Sequence, residues 1–171
     1  INAAKITDIE RTLGFLWEPG SQAWAIEHAR ALVILLNWTY IITYWPVVLG
    51  TALVLFVYRR KIYYYYRTVI LFSLIIALLV FMFFPAAPPF ATPKVGAVNA
   101  IQAYGPGFYG SREMVTHYNT LAAMPSLHFC WTVIFGVLFF RTFRGWKKIF
   151  GFLYPALIFF SIVITGNHFI L

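Results

Sequence analysis

Charged residues are scarce in this sequence. Only 11% of its 171 residues are Asp, Glu, Lys or Arg, whereas a soluble globular domain uses about 25%. Hydrophobic residues make up 61% of the chain, and they occur in long blocks that no charge interrupts. A domain with a water-exposed surface does not tolerate such blocks, so the sequence excludes a soluble globule and predicts a protein of the lipid bilayer.

Cysteine is almost absent, which limits the redox chemistry. The single cysteine, Cys130, lies inside an apolar block, and this favours a small buried side chain over a redox or catalytic role. One cysteine cannot build a disulfide framework. Nothing in the sequence implies a redox or nucleotide cofactor.

Four apolar blocks are long enough, or nearly so, to cross a hydrocarbon core of about 30 Å, which takes about 17 to 25 helical residues. Lipid offers the backbone no hydrogen-bond partner, so each block is predicted to be helical. The blocks contain no Asp, Glu, Lys or Arg and cover residues 39–58, 68–84, 121–140 and 149–165. The sequence therefore predicts an all-α polytopic transmembrane helix bundle.

Basic residues concentrate in the two short connections between these blocks. Eight of the thirteen Lys and Arg residues lie in 59–67 and 141–148. By the positive-inside rule both connections face the cytoplasm, and the long loop 85–120 is then external. Because the basic residues lie between apolar blocks, we interpret the net charge of +8 as a topology signal and not as a sign of nucleic-acid binding.

The beginning of the chain has a different pattern. Apolar residues recur there at helical spacing among charged ones: Ile6, Ile9, Leu13 and Leu16. This predicts an amphipathic helix along the outer membrane interface. We divide the single membrane-embedded domain 1–171 into interfacial helices at 1–36 and a bundle at 39–171 that carries the candidate catalytic residues. We expect the chain to be trimmed at both ends, with six helices in the intact core and four spans fully present here.

The stretch 122–128, Ala-Ala-Met-Pro-Ser-Leu-His, lies where the external loop becomes the third block. A proline early in the helix leaves an N-terminus whose free backbone N–H groups, from Ser126 onward, bind phosphate well. His128 in this first turn can contact the same anion and protonate a departing oxygen. On its own, a histidine at the end of a membrane helix is more often an ordinary interfacial residue.

His168 follows the fourth block within the sequence Thr-Gly-Asn-His-Phe at 165–169. Neutral imidazole is a competent nucleophile toward phosphorus if another group orients its second nitrogen. The predicted topology puts His168 on the same face as His128, which favours one shared site over two unrelated interfacial histidines. A metal pair is the other alternative, but no Asp, Glu or Cys accompanies the histidines in these turns.

Three stretches together resemble the type 2 phosphatidic acid phosphatase superfamily, particularly its branch near the inositol phosphorylceramide synthases. They are Ala-Met-Pro-Ser-Leu-His at 123–128, Phe-Pro-Ala-Ala-Pro-Pro at 84–89 and Gly-Asn-His at 166–168. The resemblance extends over roughly residues 6–171. It implies that His168 is the nucleophile that forms a phosphohistidine, that His128 protonates the leaving group and that Ser126 binds phosphate.

Two parts of the family pattern are not found in this sequence. The carboxylate that orients the nucleophilic histidine is expected beyond Leu171. The first motif, a Lys followed by Arg-Pro, is not recognisable, so other residues of the external loop must supply cations to the transferring phosphoryl group. We expect Arg112 to bind the phosphate through its bidentate fork, with Lys94 and Asn119 as further ligands. Ordinary solvated charges are the alternative for these positions.

The resemblance implies an integral-membrane lipid-phosphate phosphatase of the plasma membrane, with its active site on the extracytoplasmic side. A lipid phosphotransferase of the inositol phosphorylceramide synthase type would use the same two histidines, and the proline-rich stretch with Phe90 resembles that branch. A non-catalytic transporter or scaffold would explain the hydrophobicity but not two histidines on one face. We expect a lipid-linked phosphate as substrate, membrane lipids as partners, no nucleic acid, no metal and no cofactor.

Overall fold

The computed structural model describes residues 2–93, 95–105 and 121–170. Within these ranges the backbone forms helices, turns and one isolated bridge, which confirms the predicted all-α class. The helices, numbered in chain order, are α1 (Asn2–Leu13), α2 (Glu18–His28), α3 (Arg30–Trp38), α4 (Tyr44–Tyr58), α5 (Arg60–Phe83), α6 (Ala100–Tyr104), α7 (Leu127–Thr142) and α8 (Phe150–Ile164). Shorter turns are the π-helical Thr39–Thr43 and the 3₁₀ turns Pro89–Ala91 and Gly145–Ile149.

Three helical segments among the described residues are long and apolar enough to cross a membrane: Arg30–Tyr58, Arg60–Phe83 and Gly145–Ile164. The first two begin about eight residues earlier than the predicted blocks, because a helix does not have to stop where the hydrocarbon stops. A helix pairs its own backbone groups, so it can begin among the residues that precede the hydrocarbon. The predicted polytopic bundle is thereby confirmed.

The third predicted block forms a shorter helix than expected. α7 begins at Leu127, and the residues before it form the turn that leads to its N-cap, Ser126. Its 16 residues span about 24 Å, which is less than a hydrocarbon core of about 30 Å. Three of the four predicted spans are therefore long enough in the structure to cross the hydrocarbon core. The fourth, α7, is apolar but too short to cross it alone.

α7 and α8 form a close antiparallel pair. A Cβ atom added to Gly136 would lie 2.5 Å from the carbonyl oxygen of Gly151 and 2.5 Å from Cγ of Pro155. Small residues at such positions allow two membrane helices to approach closely. Because the pair is antiparallel, the first turn of α7, with His128, lies beside the end of α8, which His168 follows.

The basic connections lie at the opposite end of the bundle from the histidines. Leu55, Tyr66 and Leu138 pack in one buried cluster, which brings the α4–α5 turn close to the last turn of α7. The connection from α7 to α8 contains Lys147 and Lys148 and lies at the same end. Both basic connections are therefore on one side of the bundle.

The N-terminal helix α1 packs only part of its apolar stripe against the protein. Ala3 and Ile6 join a buried cluster with Phe169, the residue after His168. Ile9 and Leu13 remain 49% and 56% exposed. Exposed apolar side chains of this kind suit a membrane interface, and the interfacial position of α1 stays a prediction.

No break separates the predicted interfacial part, 1–36, from the bundle at 39–171. The chain is continuously helical from Arg30 to Tyr58, so α3 belongs to the first spanning segment. The helix is interrupted at Ala29 instead, between α2 and α3.

Candidate active site

The first turn of α7 presents Ser126 and His128. Ser126 is the N-cap, and its Oγ accepts a hydrogen bond from the backbone N–H of Phe129 at 3.3 Å. The other N–H groups of a first helical turn have no partner within the helix and carry partial positive charge, which favours an anion there. Pro125 lies just before the cap, not inside the helix as expected.

A short backbone bridge fixes the chain that leads into α7. The N–H of Ala86, just after α5, donates to the carbonyl of Leu121 at 2.9 Å, and the N–H of Ala123 donates to the carbonyl of Ala86 at 3.1 Å. The proline-rich stretch after α5 thus holds Ala123 in place. This matters for the site because the carbonyl of Ala123 contacts His168.

His168 is oriented by that carbonyl, since its Nδ1 lies 2.7 Å from the Ala123 oxygen. A carbonyl oxygen only accepts hydrogen bonds, so Nδ1 carries a proton. The side chain is 7% exposed. Burial lowers the pKa of His168, and the hydrogen bond to Ala123 opposes this shift in part. The favoured form is therefore a neutral imidazole with its free electron pair on Nε2.

The turn after α8 depends on a glycine. Gly166 has φ 72°, in the left-handed region that favours glycine, and its N–H and that of Asn167 close the last turn of α8. A Cβ atom at Gly166 would also lie 3.0 Å from Nε2 of Gln22 and 3.0 Å from the carbonyl oxygen of Val98. Conformation and space together require glycine two residues before His168.

Two buried polar residues of α2 hold the same segment, and sequence reasoning missed both. Oε1 of Glu18 accepts a hydrogen bond from the N–H of Ile170 at 2.9 Å. Nε2 of Gln22 donates to the carbonyl of Ile164 at 2.9 Å. The side chains are 0% and 2% exposed. Their spacing, one helical turn apart in a chain with few polar residues, was the signal that could have identified them.

Aromatic rings lie against His128. The ring centroid of Tyr40 is 4.7 Å from that of His128 with an interplanar angle of 25°, and that of Tyr44 is 4.2 Å away with an angle of 37°. Both tyrosines are 4% exposed. Aromatic residues are common throughout the chain, so the sequence alone does not distinguish these two tyrosines from packing or lipid-facing side chains.

The structure brings the two histidines together. Their ring centroids are 6.3 Å apart, with an interplanar angle of 48°. At this separation one phosphoryl group can contact both imidazoles and the first turn of α7, which also holds Ser126. The catalytic roles of His128 and His168 remain predictions.

The other expected phosphate ligands, Arg112, Lys94 and Asn119, lie outside the described residues. Their place relative to the histidines therefore stays a prediction. Within residues 2–93, 95–105 and 121–170, no group of three or more His, Cys, Asp or Glu side chains could hold a metal ion.

A match to a known protein family covers nearly the whole chain. A family model described as the PAP2 superfamily matches residues 4–171. The match includes both histidines and α2 to α8 in full. A search of curated proteins and a search of solved structures found no match.

Proposed function

Because this chain belongs to the PAP2 superfamily, whose members are phosphatases and phosphotransferases, we propose that it is a lipid-phosphate phosphatase that forms a phosphohistidine on His168. The family and the apolar helices make it an integral membrane protein. The observation that carries the proposal is the pairing of two imidazoles whose ring centroids are 6.3 Å apart. In one of them, His168, Nδ1 donates a hydrogen bond to the carbonyl of Ala123.

His168 is the nucleophile in this proposal. Its Nε2 attacks phosphorus, so an N–P bond forms and the P–O bond to the lipid breaks. The hydrogen bond to Ala123 supports this role because it orients the ring and keeps the electron pair on Nε2. The lowered pKa supports it too, since only the neutral imidazole can attack.

His128 is the acid for the departing oxygen. An alkoxide is a poor leaving group, so the bond breaks readily only if a proton arrives as it departs. The imidazolium of His128 gives that proton. Water then attacks the phosphohistidine, the N–P bond breaks, and its electron pair returns to Nε2 of His168. The proton that water loses goes to an oxygen of the released phosphate, and His128 regains its proton from solvent.

The start of α7 is the proposed binding site for the phosphoryl oxygens. The unpaired N–H groups of its first turn and the helix dipole stabilise negative charge. The hydroxyl of Ser126 accepts from Phe129, which leaves its proton free to donate to a phosphate oxygen. Arg112, Lys94 and Asn119 are the side chains proposed to complete this site.

We place the site on the extracytoplasmic side, in the plasma membrane. The support is the position of both basic connections at the end of the bundle opposite the histidines, because cytoplasmic connections carry the excess of Lys and Arg. The lipid tails would then lie in the bilayer with the phosphate at the level of α7's first turn.

Phosphotransfer is the second candidate function, with the same two histidines. The proline-rich stretch before Phe90, which resembles the inositol phosphorylceramide synthase branch, favours it. The two functions differ only in whether water or an alcohol accepts the phosphoryl group from His168. A non-catalytic transporter, by contrast, would not form a phosphohistidine.

The test uses the full-length protein in detergent and in vesicles, with labelled phosphatidate, polyprenyl phosphates and phosphoinositol donors. Inositol and a lipid alcohol are added in parallel samples. We expect release of inorganic phosphate with at least one donor, unchanged by the alcohols. Transfer of label to an added alcohol would establish the transferase instead, and no turnover with any donor would contradict both.

A further inference from the structure

The first spanning segment changes helix type beside the site. Residues Thr39–Thr43 form a π-helical turn between α3 and α4. Such turns are rare, occur mostly as single insertions in α-helices, and are frequent at functional sites. The wider turn changes the direction of the side chains around it. Here Tyr40 and Tyr44, one turn apart, both contact His128.

The tyrosine rings present their faces to the imidazole. The interplanar angles of 25° and 37° and centroid distances of 4.7 and 4.2 Å describe stacked or tilted contacts, not edge contacts. Tyr44 is further stacked on Trp131 at 6.0 Å and 19°, and Nε1 of Trp131 donates to Oγ of Ser73 at 3.1 Å. The stack thus connects α4, α7 and α5 through directional contacts.

The surroundings of His128 are unfavourable for a general acid. His128 must carry a positive charge before it protonates the leaving oxygen, and an apolar environment disfavours charge. A carboxylate would be the usual remedy, but among the described residues none forms a hydrogen bond or ion pair with His128. The negative faces of aromatic rings are the other environment that attracts a cation.

We propose that Tyr40 and Tyr44 are positioning residues for His128, whose ring faces hold the imidazole toward the leaving group and stabilise it as the imidazolium. The inference rests on the proposed function of His128 as the acid. It assigns the π-helical turn a role, because the turn sets the direction of both tyrosines. The phenol hydroxyls are not needed for this role.

Simple core packing is the alternative, since Tyr44 also belongs to a buried cluster with Leu55 and Tyr66. Tyr66 supplies a matched control. It is a buried tyrosine of the same cluster, 8% exposed, and it has no ring contact with His128. Replacing it by Leu removes the same volume from the same core without altering the surroundings of the acid.

The experiment compares Tyr44→Leu, Tyr44→Phe and Tyr66→Leu in the full-length protein with two substrates, an alkyl phosphate and nitrophenyl phosphate. Nitrophenolate leaves without a proton, so only the alkyl substrate depends on the acid. We expect Tyr44→Leu to lower kcat for the alkyl substrate by roughly 2- to 30-fold, the range of a cation–π contact, with KM and the nitrophenyl rate little changed. Tyr44→Phe keeps the ring face and should restore kcat.

The outcomes separate this inference from the proposed function. Equal losses for both substrates in Tyr44→Leu, or a Tyr44→Phe variant as slow as Tyr44→Leu, would overturn the role of the ring faces. Tyr66→Leu should not change the ratio of the two rates, and a changed ratio there would assign the effect to packing. If the unmodified protein turns over neither substrate, the proposed function fails and the inference falls with it.

Discussion

The two histidines have contrasting surroundings. His168 lies in a turn, where a backbone carbonyl fixes its ring and buried Glu18 holds the chain just after it. His128 lies in the first turn of a helix, against the faces of Tyr40 and Tyr44. A nucleophile needs a free nitrogen in a fixed direction, which hydrogen bonds provide, whereas an acid must carry positive charge, which aromatic faces favour. In the proposed mechanism, identical side chains thus take different roles because their environments differ.

This contrast has a measurable consequence. Every substrate needs the nucleophile, so a substitution at His168 or at the residues that hold it should lower the rates of all substrates equally. Only substrates with poor leaving groups need the acid, so the effect of a substitution at His128 or at the residues around it should depend on the substrate.

The largest effect is expected from His168→Ala. His168 is the nucleophile of the proposed mechanism, so turnover of alkyl and nitrophenyl substrates should both fall to background. His28→Ala is the matched control, because His28 is an exposed histidine whose ring stacks on Trp24. Residual turnover in His168→Ala above that of a heat-treated sample would assign the nucleophile to another residue.

The second largest loss of turnover is expected from His128→Ala, and it should differ between the two substrates. Loss of a general acid typically costs about 100- to 10,000-fold, and we expect this for the alkyl phosphate in steady-state assays. Nitrophenyl phosphate should lose far less. A variant that loses both substrates to the same extent would show that His128 binds phosphate or supports the fold instead of donating a proton.

Glu18→Ala should have an intermediate effect that is equal for both substrates. It removes the acceptor for the N–H of Ile170, and a buried donor left without a partner costs about 1–3 kcal/mol. If about half of this free energy is lost from the positioning of His168, kcat falls roughly 2- to 13-fold. Glu18→Gln keeps an oxygen acceptor and should recover most of the rate.

Glu27→Ala is the control for this change, because Glu27 lies on the same helix and is exposed. The three variants are compared by kcat and by melting temperature in detergent. A Glu18→Ala variant with unchanged kcat for both substrates would contradict the role of this carboxylate in holding the nucleophile.

The pH dependence should show a smaller effect. Burial lowers the pKa of His168, and only the neutral ring attacks, so acid inactivates the nucleophile only below that lowered pKa. Between pH 7 and 5.5, a histidine with an ordinary pKa of about 6.5 would lose roughly eightfold in its neutral fraction. For nitrophenyl phosphate, after correction for ionisation of the substrate, we expect a smaller loss than this. An eightfold loss would mean that burial does not act on His168 as described.

A metal chelator should not change the turnover of either substrate. The proposed steps use only protons and the His168 nitrogen, so turnover of both substrates should persist in a chelator. Loss of turnover that one divalent ion restores would count against the two-histidine scheme.

The spanning segments and the meeting of the two histidines were predictable from the sequence. Uninterrupted apolar blocks require helices, and the basic connections at 59–67 and 141–148 fix which helix ends share a side. The motifs around His128 and His168 then identified the family. These features depend on composition and order along the chain, which the sequence records directly.

The surroundings of the histidines were not predictable in the same way. The direction of Tyr40 and Tyr44 depends on a π-helical turn, and hydropathy does not distinguish such a turn from an α-helix. The sequence does not reveal the burial of Glu18, which follows from the packing of α2 against the end of α8. The orienting group found for His168 is a backbone carbonyl, which no side-chain motif can reveal.

The most direct test of the account is to locate the phosphoryl group on the enzyme. Full-length protein is mixed with labelled lipid phosphate, quenched within milliseconds in base, which preserves phosphohistidine, and digested for mass spectrometry. The account predicts label on the peptide that contains His168, in the unmodified protein and, with nitrophenyl phosphate, also in His128→Ala. Label on His128, or steady turnover with no phosphorylated histidine at any quench time, would contradict it.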